Sequence, residues 1–192
     1  MSPFPNAATG ASNNDPVVFA QPSPEHPTLV AADAEGVVFT TREGSVMACP
    51  HDKCDPIGSL AAGQRDVRSL AVSGPWAAWT ARGENLVRRT TRRPGGTIDQ
   101  VFEDDGLLAV AITASKVYFS VEADFAFGAP EVRKCTPAVD CDDFDHGVLA
   151  HGVVTDLLIA GGDAFWIEAG NVFGCHWPKL IKASAAVRFS GR

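Results

Sequence analysis

Tyrosine occurs once in this chain and methionine twice, and only 20% of its 192 residues carry charge. No stretch approaches the ~20 consecutive apolar residues that a membrane helix requires, so a helical transmembrane segment is excluded. A basic excess is also lacking. Sixteen Lys and Arg stand against 23 Asp and Glu, a net charge of −7, which argues against a nucleic-acid partner, because such binding displaces counterions with a cationic surface. The opening MSPFPNAATGASNNDP has neither a charged n-region nor an apolar h-region and does not read as a signal peptide. Residues 1–14 read instead as a disordered lead with little to bury. The G-x-S-x-G nucleophile motif is absent, and no Ser or Cys sits in a recognisable catalytic setting.

Apolar side chains are plentiful at 45%, and Gly 18 and Pro 13 are high for a helical protein. That combination suits many short strands joined by turns. Four segments repeat: VAADAEGVVFT from Val30, LAVSGPWAAWT from Leu70, VAITASKVYFS from Val110 and LLIAGGDAFWI from Leu157. Each has an apolar run, a small or polar turn, and a second run carrying an aromatic at Phe39, Trp79, Phe119 or Trp166. A second block follows each, containing Val46, Leu86, Val132 and Val172. An insertion in EADFAFGAP, Glu122 to Pro130, lengthens the third step. A third block, with IGSLAAG, TIDQVFEDD and GVLAHG, completes the unit.

Four short runs per ~40 residues, repeated, mark propeller blades. The expected fold is an all-β β-propeller, partial or four-bladed, with four-stranded blades of about 40 residues. A β-sandwich or barrel of unrelated hairpins is the alternative, but it does not predict aromatics recurring at fixed positions. The units fall at about 28–67, 68–107, 108–154 and 155–180, within a repeat region of 15–180, with a tail over 181–192. An extra strand near 17–20 occupies the last-strand position of the register, since Asp15-Pro16-Val17 precedes Asp55-Pro56-Ile57 by one repeat. It either closes a four-bladed ring or belongs to a longer propeller; the unmatched tail IKASAAVRFSGR favours the longer one.

The FT, WT, FS and WI pairs look like the YW-T step of YWTD-type and NHL-like propeller repeats. Together with the downstream V-M-x-C-P-x-x-x-C run, the stretch from Leu29 to Gln64 resembles the Cys-containing repeats of secreted or lipid-anchored propeller proteins found in myxobacteria. The resemblance covers about Thr28 to Trp177. The second unit departs from it by lacking both cysteines and the fourth by lacking the second one. It carries no catalytic residue.

Five cysteines are present: Cys49, Cys54, Cys135, Cys141 and Cys175. The first four form two local pairs in one slot of the unit, read as the loop between third and fourth strands. One repeat after Cys49 and Cys54 stand Arg89 and Pro94, so the pair vanishes jointly from unit two, as bonded partners do. The expectation is two disulfides, Cys49–Cys54 and Cys135–Cys141, each closing a tiny loop and contributing about 2 kcal/mol. Two bridges imply an oxidising compartment, hence an extracytoplasmic location, with Cys175 an orphan. The rival is zinc on Cys49, His51 and Cys54 with Cys175 and His176, but the spacing is loose and the third unit has no matching His.

Other candidates read as ordinary surface. Asp140, Asp142, Asp143 and Asp145 with His146 suggest calcium, yet Phe144 sits where an oxygen ligand belongs. Arg88, Arg89, Arg92 and Arg93 suggest an anion or acidic-partner patch, or simply a charged outer strand that discourages edge pairing. Trp79 and Trp166 read as inter-blade core, Trp76 and Trp177 as exposed binding residues. The sequence thus points to no catalytic residue, no cofactor and no metal. The expected role is a non-catalytic extracytoplasmic binding or scaffold propeller, with an unknown protein or small-molecule ligand meeting the face that carries the Glu122–Pro130 insertion. Self-association through open blade faces is a further expectation. The alternatives are a propeller hydrolase or lyase with a channel site, for which His146 and His151 are the acid–base candidates, and a fragment without independent function.

Overall fold

The computed structural model describes residues 26–50, 58–122, 131–136, 153–160 and 163–176. Among the described residues, fourteen strands form four antiparallel sheets. The first holds β1 (Pro27–Asp33), β2 (Gly36–Thr41), β3 (Val46–Pro50) and β4 (Gly58–Ala61) in sequence order. The second repeats this with β5 (Val67–Ser73), β6 (Trp76–Ala81), β7 (Leu86–Thr91) and β8 (Ile98–Glu103). The third shows β9 (Leu107–Ile112), β10 (Val117–Val121) and β11 (Glu131–Cys135), and the fourth β12 (Val154–Ala160), β13 (Asp163–Glu168) and β14 (Asn171–His176). Four sequential meanders of this kind are the blades of a β-propeller. The strands are short because turn residues punctuate the chain every six or so residues, and β-branched and aromatic side chains fill the runs between. Among the described residues no helix is long and apolar enough to cross a membrane.

The blades follow one register. Val30, Leu70, Val110 and Leu157 on the first strand of each blade face Phe39, Trp79, Phe119 and Trp166 on the second. Those aromatics in turn face Met47, Arg88, Arg133 and Phe173 on the third strand. The next residue of the second strand is Thr40, Thr80, Ser120 or Ile167, opposite Val46, Val87, Val132 and Val172. Blade two is therefore offset by one from the forty-residue spacing: Val87, not Leu86, is the counterpart of Val46. The cause is local. A 3₁₀ turn at Arg82–Glu84 ending in left-handed Asn85 (φ 58°) adds one residue to that connection.

Cores lie between blades. Val38, Val46, Ala48, Leu60 and Ala61 of blade one meet Ala77, Trp79 and Ala81 of blade two. Ala78, Val87 and Val101 of blade two meet Leu107, Val110, Val117, Phe119 and Val121 of blade three, where Phe102 and Phe119 stack at 4.7 Å. Val132 of blade three meets Val154 and Trp166 of blade four. Each joint thus presses the valine face of one blade onto the aromatic face of the next, the burial that a lone blade cannot supply for itself.

Hydroxyls complete the joints. The Ser120 hydroxyl accepts from the Ala109 amide at 2.9 Å and donates to the Val154 carbonyl of blade four at 2.7 Å. Thr80 donates to the Leu108 carbonyl of blade three at 3.3 Å. In blade one the Thr40 hydroxyl accepts from the Leu29 amide at 3.2 Å, beside the register shift between Pro27 and Leu29. A bulge there leaves an amide that the sheet ladder does not use, and the hydroxyl takes it up.

Candidate functional site

Antiparallel blades send alternate connections to opposite ends. One end carries the turns between second and third strands and the links from blade to blade, and the Glu122–Pro130 insertion belongs here. Residues 123–130 lie outside the described residues. Glu122 itself donates its amide to the Gly106 carbonyl at 2.6 Å and lies 3.7 Å from Arg82.

Gln64, which is buried, organises this end of the joint between blades one and two. Its amide donates to the Gly44 carbonyl at 2.8 Å. Its side-chain oxygen accepts from the Trp79 indole at 2.9 Å and from Arg88. Arg88 also pairs with Glu84, whose other oxygen accepts from the Arg65 amide at 3.0 Å. Gly44 has φ +84°, and a Cβ there would stand 2.2 Å from the Gln64 carbonyl oxygen, so only glycine permits the approach.

The opposite end carries the turns between first and second strands. Here a cleft of about 200 Å³ opens between blades one and two, lined by Glu35, Cys49, Gly74, Pro75, Arg92 and Arg93 among others. That is smaller than the ~300 Å³ at which drug-sized pockets begin, so it suits a single side chain or small ion. Asp33 ties three of these lining residues together. Its carboxylate accepts from the Glu35 amide at 2.9 Å, the Gly74 amide at 2.8 Å and the Arg92 guanidinium. Burial pushes the Asp33 carboxyl up, but the Arg92 hydrogen bond and charge and the two amides outweigh it, and the group sits below its ordinary 3.8. A carboxylate held ionised in this way is a poor general base near neutrality. Arg92 donates as well to the Gly74 carbonyl at 3.3 Å, so it too is engaged.

Cys49 and Cys135 do not lie in a loop, contrary to the sequence reading; Cys49 is the penultimate residue of β3 and Cys135 the last of β11, facing Val37 and Val117. Both are buried and neither is a free thiol. Cys175 occupies the same register position on β14, facing Ala164. In blade two that position belongs to Thr90, facing Ala77, and not to Arg89. The Thr90 hydroxyl donates to the Thr97 carbonyl at 2.9 Å, clasping the loop that leads to the fourth strand. Cys54 and Cys141 lie outside the described residues.

The arginine cluster is not the free cationic face that an anion patch requires. Arg88 is engaged as above, and Arg89 pairs with Asp99 at 3.0 Å while lying 4.0 Å over the Trp76 ring. Trp76 is accordingly half-buried and packed on the core, not an exposed binding residue. Arg93 remains exposed at the mouth of the cleft. Asp140, Asp142, Asp143, Asp145, His51, His146, His151 and Trp177 lie outside the described residues. Sequence reasoning missed Asp33, Glu35 and Gln64. Asp33 had a signal: its turn position is filled by uncharged Ser73 and Thr113 in the next two blades, so a lone carboxylate stood out there.

No protein-family model and no curated protein matches the sequence. Several solved structures match in fold. A chain of a nidogen/laminin complex aligns with TM-score 0.62 and 13% identity over 84% of this chain and 64% of its own length. The computationally designed Ika4 protein aligns with TM-score 0.57 and 15% identity over 81% of this chain and 94% of its own. A streptogramin B lyase aligns with TM-score 0.57 and 13% identity over 89% of this chain and 57% of its own. At such identities the likeness is one of fold. The chain spans less than two thirds of the nidogen/laminin and lyase chains.

Proposed function

We propose that this propeller is a non-catalytic, extracytoplasmic binding or scaffold module. One observation carries the reading: in the cleft between blades one and two, the groups that do chemistry elsewhere are engaged in structural bonds. Asp33 is held ionised by Arg92 and two amides, Arg92 is tied to Asp33 and Gly74, and Cys49 is not a free thiol. What remains open there is an exposed carboxylate, Glu35, and an exposed guanidinium, Arg93.

The ligand, a protein or a small molecule, engages the end that carries the Glu122–Pro130 insertion. In repeat proteins, insertions gather on the binding face, and the equivalent turn of blade four is only Ala169–Gly170. The extracytoplasmic assignment rests on disulfides Cys49–Cys54 and Cys135–Cys141. Their support is the shared register position of Cys49 and Cys135, and the Thr90–Thr97 clasp that does the same work in the blade without cysteines. In that case, alkylation of unreduced protein from an oxidising host labels one thiol.

The role is tested by photo-crosslinking in the source cell. A photoreactive residue at Glu43 or Glu122, on the insertion end, yields a discrete adduct. The same residue at Glu35 or Ala114, on the opposite end, does not. Adducts from the opposite end alone would overturn the assignment of the working face. Turnover of an ester, lactone or glycoside that His146→Ala or His151→Ala abolishes would overturn the non-catalytic reading.

A further inference from the structure

Val46, Val87, Val132 and Val172 share one register position, yet the first three are fully buried and Val172 is 43% exposed. On the partner face, Val110 is 1% exposed and its blade-one counterpart Val30 is 70% exposed. The three valines are sealed because the next blade lies on them. Val110 is sealed because blade two lies on it. At the two ends of the series no described residues form a covering blade, and Val30 and Val172 stay exposed.

The two open faces differ in kind. Blade one presents an aromatic face with Val30 and half-buried Phe39. Blade four presents a valine face with Val172, half-buried Phe165 and Leu158, which is 59% exposed. Each interior joint pairs one face of each kind. The molecule thus carries both halves of a fourth joint and leaves them apart.

We infer that a second copy of this chain supplies both missing halves at once. Blade four of each copy seats on blade one of the other, giving two identical head-to-tail joints and an eight-bladed ring. The contact is heterologous, and closure decides whether such contacts end in a ring or a fibre. Propellers usually run from four to eight blades, so two copies of four reach the upper end and three overshoot it. Blade four also shows how this joint differs from the interior ones. Ile167 stands where Thr80 and Ser120 send a hydroxyl to the next blade, so this joint is apolar where those are riveted, as suits an association that must form after folding. It is independent of the ligand-binding reading above.

The test is the mass of the full chain in solution, by light scattering, for the native protein, Val30→Glu, Val172→Lys and an equimolar mixture of the two variants. Both substitutions fall on exposed positions, and circular dichroism and thermal melts confirm that each variant folds. The expected masses are twice 20.2 kDa for the native chain and 20.2 kDa for each variant alone. The mixture returns to the doubled mass, because it restores one native joint and sets the introduced carboxylate against the introduced ammonium in the other. A monomeric native chain overturns the inference, whether the faces stay bare or are covered by the chain's own ends. So does a dimer that survives both substitutions, or one that breaks with Val30→Glu alone, since an isologous contact uses one face only.

Discussion

Val87 and Val172 stand at the same place in their blades, opposite the residue that follows the aromatic, and one is sealed while the other is half open. The difference lies in neither residue nor strand. It lies in the neighbour: blade three covers Val87 with Val110 and Phe119, and nothing described covers Val172. Burial in this fold is therefore a property of joints and not of blades. The middle of the molecule, where each blade has two neighbours, carries the stability, and the outward faces of blades one and four carry the capacity to associate.

The largest way to break this contrast is in the first joint. Trp79 is fully buried and its indole is satisfied by Gln64, so Trp79→Ala costs about 3–5 kcal/mol by cavity formation, read from urea unfolding. Next comes the clasp at the other end of the same joint. Arg92→Ala leaves the Asp33 carboxylate without its cation and costs about 2 kcal/mol, below the value for a fully buried pair because Asp33 is partly exposed. That clasp also sets a pH dependence. The folded-state pKa of Asp33 lies below 3.8, so its stabilisation is present above that value and is lost as pH falls through the folded-state pKa. Asp33→Asn removes this part of the acid sensitivity, which parallel unfolding curves at pH 3 and 7 measure. Smaller again is Ser120→Ala. It orphans the Ala109 amide and the Val154 carbonyl and costs about 1–2 kcal/mol, loosening the joint between blades three and four.

Much of the architecture was legible because the repeat is written in residue types. The four aromatics at Phe39, Trp79, Phe119 and Trp166 mark the second strand of each blade, and Trp79 and Trp166 are inter-blade core as expected. The FT, WT and FS pairs, read as a family likeness, have a physical content that the sequence did not disclose: the hydroxyl accepts an amide freed at a bulge in its own blade, or reaches a carbonyl of the next one, or both. Spacing alone failed where a turn changed length. The 3₁₀ turn at Arg82–Glu84 shifted blade two by one, so Arg89 was taken for the counterpart of Cys49 when register makes it Thr90. Arg88, Arg89 and Arg92 were misleading for another reason. Their partners Glu84, Gln64, Asp99 and Asp33 come from other strands or turns, and a linear reading shows the cations without the groups that occupy them. The Asp33 cleft was hidden in the same way, being assembled from two blades.

The account's central claim is that neighbours, not blades, determine burial. The most direct test is one valine-to-alanine series, Val46, Val87, Val132 and Val172, followed by urea unfolding in the Val30→Glu background, where a second copy cannot seat on the open face. The account predicts losses of about 2 kcal/mol for each of the first three and under half of that for Val172. An equal loss at all four positions would contradict it, because the valine would then be stabilised within its own blade and the joints would not be what holds the molecule together.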